Sequence, residues 1–211
     1  METIEMKRRI QETALKAYTE KLVAGTSGNV SEFDREQGVM VITPTNVDYR
    51  IMRPEDVVAM RLDGTVLEGE LKPSSEWKLH AELYKGFDHV NAVIHTHSPR
   101  ATSFAVLHEI VPVILVEMLP FLGGDIPLAE FGMPGTPEVG RNAVKVMANR
   151  NSCLLANHGV VAVGKNLSQA YIRAVYVEDA AAIYHYARQI GDPRLVPAEA
   201  VAAMKIKYGL K

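Results

Sequence analysis

The run His95-Thr96-His97, followed downstream by His158 in Asn157-His158-Gly159 and preceded by Glu76 in Pro73-Ser74-Ser75-Glu76, carries the ligand types of a metal site. Three imidazoles and one carboxylate are donors that a borderline cation such as Zn²⁺ accepts in near-tetrahedral geometry. A carboxylate that can swing away leaves a coordination position for substrate, so the set points to catalysis rather than to a structural staple. Taken singly, a histidine on an apolar segment reads as a satisfied core residue. A His-x-His pair, a turn histidine and a carboxylate at a helix start read together as ligands.

Two further segments suit an anion. Glycines in Gly25-Thr26-Ser27-Gly28-Asn29 let a ligand approach backbone N–H groups closely, and Ser74-Ser75 adds hydroxyls and the free N–H donors of a helix start. Each alone is an ordinary turn or cap. Their position gives them meaning, because Ser74 and Ser75 immediately precede Glu76 and an anion held there lies beside the proposed metal.

These groups need elements to hold them. Asn91-Ala92-Val93-Ile94-His95-Thr96-His97 is a short β-prone apolar run, and the period of two along a strand points His95 and His97 the same way. His158 lies between the apolar runs Cys153-Leu154-Leu155-Ala156 and Val160-Val161-Ala162-Val163, so a strand end delivers it. Upstream, Met6 to Val23 reads as a helix stopped by Gly25, and Gly25 to Ser31 leads into a strand paired with Val39 to Thr43. A hairpin is expected from Val57 to Leu67 around Asp63-Gly64. Pro73-Ser74-Ser75 opens a helix with Trp77, Ala81 and Tyr84 on one side; His80, on the same helix, has no evident partner as a ligand and reads as structural. The prolines and glycines between Val111 and Pro137 exclude long helices and favour short strands and loops. Thr136 with Pro137 starts a helix to about Ala148, and Ser168 starts a long one to about Ile190. The small and aromatic residues of that last helix suit close packing on the sheet or on another subunit.

The 211 residues, 47% hydrophobic and 23% charged, suffice for one enzyme-sized domain spanning 1–211. With a formal charge of −2 and scattered basic residues, nothing marks a nucleic-acid partner. The single cysteine, Cys153, cannot form an intrachain disulfide and reads as a core residue of a reducing compartment. Met1-Glu2-Thr3-Ile4-Glu5 lacks the basic start and apolar run of a secretory signal, and no stretch has the length of a membrane span, so no membrane partner is expected and the expected compartment is the cytoplasm.

Read in order, Gly25-Thr26-Ser27-Gly28-Asn29-Val30-Ser31, Ile42-Thr43-Pro44-Thr45, Pro73-Ser74-Ser75-Glu76-Trp77, His95-Thr96-His97 and Asn157-His158-Gly159 resemble the motifs of the class II aldolase/adducin family. The resemblance runs from the first helix to the tail Lys207-Tyr208-Gly209-Leu210. It implies an α/β fold of three α/β/α layers with a mostly antiparallel central sheet, assembled as a homotetramer with active sites between subunits. It further implies that Glu76, His95, His97 and His158 bind Zn²⁺, one per subunit, with Mn²⁺ or Co²⁺ as substitutes. By the same resemblance, Gly28, Asn29, Thr45, Asn46, Ser74 and Ser75 hold a substrate phosphate, and Glu76 and Tyr208 are catalytic. The implied activity is cleavage of a ketose 1-phosphate, L-fuculose 1-phosphate or a related deoxy-ketose 1-phosphate, to dihydroxyacetone phosphate and an aldehyde through a metal-stabilised enediolate.

The chain departs from the family pattern twice. Asn46 stands where a glycine is usual, a mild change because Asn tolerates left-handed backbone. Val116 stands where the family's aldolases carry a tyrosine supplied by a neighbouring subunit, which leaves Tyr208 as the available phenol. Other branches of the family are epimerases, dehydratases and decarboxylases, and adducin's head domain is non-catalytic. The epimerases carry Asp where this chain has Glu76 and the decarboxylases Lys at Ser75, so Ser74-Ser75-Glu76 favours the aldolase branch.

Overall fold

The computed structural model describes residues 2–210. Eight strands form one sheet in the order β4-β3-β2-β1-β5-β8-β7-β6. They are β1 (Asn29–Asp34), β2 (Val39–Ile42), β3 (Val58–Met60), β4 (Val66–Glu68), β5 (Ala92–Thr96), β6 (Leu128–Ala129), β7 (Ser152–Leu155) and β8 (Gly159–Gly164). Every pairing is antiparallel except that of β6 with β7. The helices are α1 (Glu2–Thr19), α2 (Trp77–Gly86), α3 (Pro99–Leu107), α4 (Met118–Leu122), α5 (Pro137–Val146), α6 (Leu167–Ile190) and α7 (Ala198–Tyr208).

Alternation along the strands builds the layers. Ala92 and Ile94 of β5 and Ala162 of β8 join a core with Ile10 and Ala14 of α1 and Ala170 and Ala174 of α6. Val93, Val161 and Val163 face the other way, into a core with Leu79 and Leu83 of α2 and Val139 and Ala143 of α5. The result is the expected α/β/α arrangement with a mostly antiparallel sheet. Burial of large aliphatic side chains on both faces contributes roughly 1.5–3 kcal/mol each. Cys153 is one of these core residues, and burial pushes its thiol pKa up.

Local chemistry sets the boundaries, in places against expectation. The first helix ends at Thr19 rather than near Val23. Lys21 takes a left-handed conformation (φ 61°), with Leu22 N–H donating to Ala17 O and Lys21 N–H to Tyr18 O, both about 3 Å. That is a Schellman closure, and it turns Leu22 and Val23 into the core. The long helix α6 is capped by Asn166, whose side chain accepts from Gln169 N at 2.9 Å, so Ser168 lies inside the first turn. Between Val111 and Pro137 there is one short helix, α4, which the proline content did not suggest. Pro120 sits in its first turn, where no N–H is needed for an intrahelical bond.

Candidate metal centre

The centre forms where β1, β5, β8 and the start of α2 meet. Register places Asn29 directly opposite His95, and His95 opposite Val161. His95 shares the sheet face of Val93, toward α2, and is fully buried. His97 follows the end of β5, so strand alternation delivers both rings to one place, with centroids 4.8 Å apart. His158 sits in the turn between β7 and β8, where Asn157 adopts a left-handed backbone (φ 54°) and His158 N–H donates to Leu155 O. Its ring centroid lies 4.7 Å from that of His95. Glu76 is the residue before α2, as its place after Ser74-Ser75 implied, although the helix proper starts at Trp77.

Four ligand atoms, one from each of Glu76, His95, His97 and His158, lie within 4.8 Å of one another. His95 Nε2 is 3.2 Å from Glu76 Oε2 and 3.0 Å from His97 Nε2. Glu76 Oε1 is 3.1 Å from His158 Nε2 without the geometry of a hydrogen bond. His95 Nδ1 donates to Val160 O at 2.8 Å, which leaves Nε2 of the neutral ring with its lone pair aimed at the cluster. Bare imidazole nitrogens and a buried carboxylate oxygen converging this closely repel one another unless a cation or a proton lies between them. The donor set therefore fits a divalent metal.

The electrostatics agree. Burial alone raises the Glu76 pKa, but the adjacent His95 and His158 imidazoles outweigh it and hold the carboxyl well below the usual range. Burial, followed by the neighbouring His95 and His158, pushes His97 down to about 4. A neutral imidazole and an ionised carboxylate are the ligand forms at neutral pH.

The six residues expected to hold phosphate, Gly28, Asn29, Thr45, Asn46, Ser74 and Ser75, all line one polar cleft of about 340 Å³, together with Glu76 and His97. Reciprocal backbone bonds pin the walls of this cleft: Thr45 N–H to Lys72 O and Ser74 N–H to Thr43 O, both 3.0 Å, around a Pro44–Pro73 bridge. Asn46 has φ 57°, the conformation for which glycine is usual, so the substitution keeps the backbone shape. Gly28 has φ 75°, and a Cβ there would lie 2.7 Å from His95 O. Tyr49, which the sequence did not single out, fixes this loop by donating its hydroxyl to Gly28 O at 2.6 Å.

Tyr208 is not brought to the cluster within one chain. It ends α7, and the next residues, Gly209 and Leu210, share a cleft with His89, Asn149 and Arg150. Those residues precede β5 and β7, whose opposite ends lead to His97 and His158. Val116 is exposed in the loop before α4. His80, read from sequence as a structural residue and not a ligand, lies outside the cluster, fully buried and hydrogen-bonded to both Asn29 and Ser31.

Gly159 gives the first expected outcome. A Cβ there would lie 2.4 Å from Thr96 O and 3.0 Å from His97 Cδ2. Gly159→Ala must therefore push β8 from β5 and displace the rings. Thermal denaturation should show a loss of about 1–3 kcal/mol, and a zinc titration should show weaker binding.

Comparison with known proteins places these features. The family model for the class II aldolase and adducin N-terminal domain matches residues 8–185. A 5-deoxy-D-ribulose 1-phosphate aldolase of Bacillus thuringiensis serovar kurstaki is 38% identical over 197 residues, covering 91% of this chain and 92% of the relative. An L-fuculose phosphate aldolase of Escherichia coli is 35% identical over 215 residues, covering 100% of this chain and 99% of the relative. A solved L-fuculose 1-phosphate aldolase superposes with a TM-score of 0.92 at 38% identity, covering 97% of this chain and 96% of that one. The motif order, the three-layer fold and these matches along nearly the whole length lead to one conclusion: the chain belongs to the class II aldolase/adducin family.

Proposed function

We propose that this chain is a divalent-metal-dependent class II aldolase, a single domain over 1–211, that cleaves a ketose 1-phosphate into dihydroxyacetone phosphate and an aldehyde. The observation that carries this reading is the meeting of Glu76 and His97 with six anion-suited residues around one polar cleft. Glu76, His95, His97 and His158 would hold the metal, with Zn²⁺ as the ion that suits three imidazoles and a carboxylate best. When bound, the ion supplies Lewis-acid stabilisation of the negative charge that develops on the ketose oxygens as the C3–C4 bond breaks.

The chain's own residues do the rest. Ser74, Ser75, Thr45, Asn46, Asn29 and the Gly28 loop hold the phosphate and so fix the distance from the 1-phosphate to the scissile bond. In cleavage the C4 hydroxyl loses a proton as the aldehyde forms, and the carbon left behind gains one. Glu76, ionised at rest and displaced from the ion by substrate, would take up a proton from solvent and deliver it to that carbon. Tyr208 of a neighbouring subunit would relay the first proton to solvent, releasing its own phenolic proton as it takes the substrate's, since within one chain it lies away from the cluster. No lysine is among the residues lining the cleft, so nothing there suits an imine route.

The relatives are named for 5-deoxy-D-ribulose 1-phosphate and L-fuculose phosphate. Both are 1-phosphorylated ketoses with a terminal methyl group, and that is the substrate class we assign. Incubating the zinc-loaded protein with these two compounds and with ribulose and xylulose 1-phosphates should release dihydroxyacetone phosphate, fastest from the methyl-terminated pair. Absence of release from all four would overturn the assignment.

We place the enzyme in the cytoplasm as a homotetramer. Among the described residues no helix is long and apolar enough to cross a membrane. Exposed Leu107 and Ile110 on and after α3, Tyr186 and Ile190 on α6 and Ile206 on α7 are apolar side chains that subunit contacts would cover. Dilution to monomer, followed by light scattering, should abolish turnover, because Tyr208 then reaches no metal. Full activity in a demonstrated monomer would refute the shared site.

A further inference from the structure

A buried chain of polar side chains leads from the metal centre into the core. Asn29 Nδ2 is 3.0 Å from Glu76 Oε2, Asn29 Oδ1 is 2.5 Å from His80 Nε2, His80 Nδ1 is 2.6 Å from Ser31 Oγ, and Ser31 Oγ is 2.6 Å from Tyr84 OH. Asn29, Ser31, His80 and Tyr84 are all buried, and the bonds from His80 to Asn29 and Ser31 and from Ser31 to Tyr84 lie wholly inside the protein. Each group can play only certain roles, and this gives the chain a single direction. The Glu76 carboxylate only accepts, so the amide NH₂ of Asn29 must face it. Asn29 Oδ1 then faces His80 and only accepts, so His80 carries its proton on Nε2. His80 Nδ1 is left as an acceptor for the Ser31 hydroxyl, and Ser31 Oγ accepts from Tyr84.

The geometry points to His80 as a positioning residue for Glu76, acting through the Asn29 amide. An isolated asparagine can present either its oxygen or its NH₂ group to a neighbour. The proton on His80 Nε2 removes that choice and commits the NH₂ to Glu76 Oε2. Oε2 is thereby held, which fixes the orientation of the Glu76 carboxylate at the cluster. Burial also keeps the imidazole neutral, pushing His80 down to about 3. Tyr84 is buried in the α2-side core and offers no outlet to solvent, so the chain orients Glu76 rather than conducting protons.

The inference rests on the assignment of Glu76 as the proton-transferring group, and its test separates the two. His80→Leu removes the donor to Asn29, whereas His80→Gln retains an N–H that can reach Asn29 Oδ1. In the zinc-loaded full chain, His80→Leu should lower kcat by about 10- to 100-fold with KM within about twofold and zinc still bound, and His80→Gln should recover most of the loss. In metal-free wild type, the ¹⁵N signals of the His80 imidazole should show the proton on Nε2. An unchanged kcat in folded His80→Leu, an equal loss in both variants, or a proton on Nδ1 would overturn the inference. If wild type cleaves no ketose 1-phosphate, the aldolase reading fails, and the tautomer still decides whether the directed chain exists.

Discussion

Glu76→Gln should lower turnover by about 10²- to 10⁴-fold, the range spanned by loss of a general acid–base group, while leaving the protein folded. Gln is isosteric with Glu and can still accept from Asn29 Nδ2, which lies 3.0 Å from Oε2. The substitution would remove the ionised oxygen proposed to exchange the proton and weaken one of the four proposed metal donors. Steady-state kinetics beside a thermal melt would separate the effects: kcat should fall while Tm moves by a few degrees. Undiminished turnover would remove Glu76 from proton transfer.

The second large effect is expected at His95. Its imidazole is fully buried, donates from Nδ1 to Val160 O and aims Nε2 between Glu76 and His97. His95→Ala deletes a ligand from the centre of the cluster and leaves Val160 O without its donor. Zinc affinity should fall by more than about 100-fold, beyond what losing only a ligand's hydrogen-bond partner costs. Stability of the metal-free protein should fall by about 1–3 kcal/mol from the unpaired carbonyl and the space left in the core. Elemental analysis of the purified variant should find almost no zinc. A normal zinc content would show that the ion is held elsewhere.

The convergence of Glu76, His95, His97 and His158 was legible in the sequence because its signals are local. Alternation along Ala92 to Thr96 put both imidazoles on one side, Gly159 marked the His158 turn, and Ser74-Ser75 marked the helix start before Glu76. The convergence of Gly28, Thr45 and Ser74 on one cleft depends on pairings between segments far apart in sequence. It was legible through the resemblance of ordered motifs, not through periodicity. The polar partners of His80 are not visible in the sequence for the same reason: Asn29 and Ser31 reach it only because β1 lies against α2, a contact between residues about 50 positions apart. Helices α3 and α7 were not anticipated. Pro99 at the first position of α3 follows a strand loop, and no residue of α7 is buried, so that helix lacks the apolar stripe that reveals others. The end of α1 was misplaced because a left-handed lysine, not a glycine, closes it.

On this reading, sugar-phosphate cleavage requires one divalent cation held by Glu76, His95, His97 and His158. The most direct measurement is zinc content per chain taken together with dihydroxyacetone phosphate release before chelation, after chelation and after zinc is returned. About one zinc per chain is expected, with release lost on chelation and recovered when zinc is returned. Release that persists in protein shown to be free of metal would contradict it.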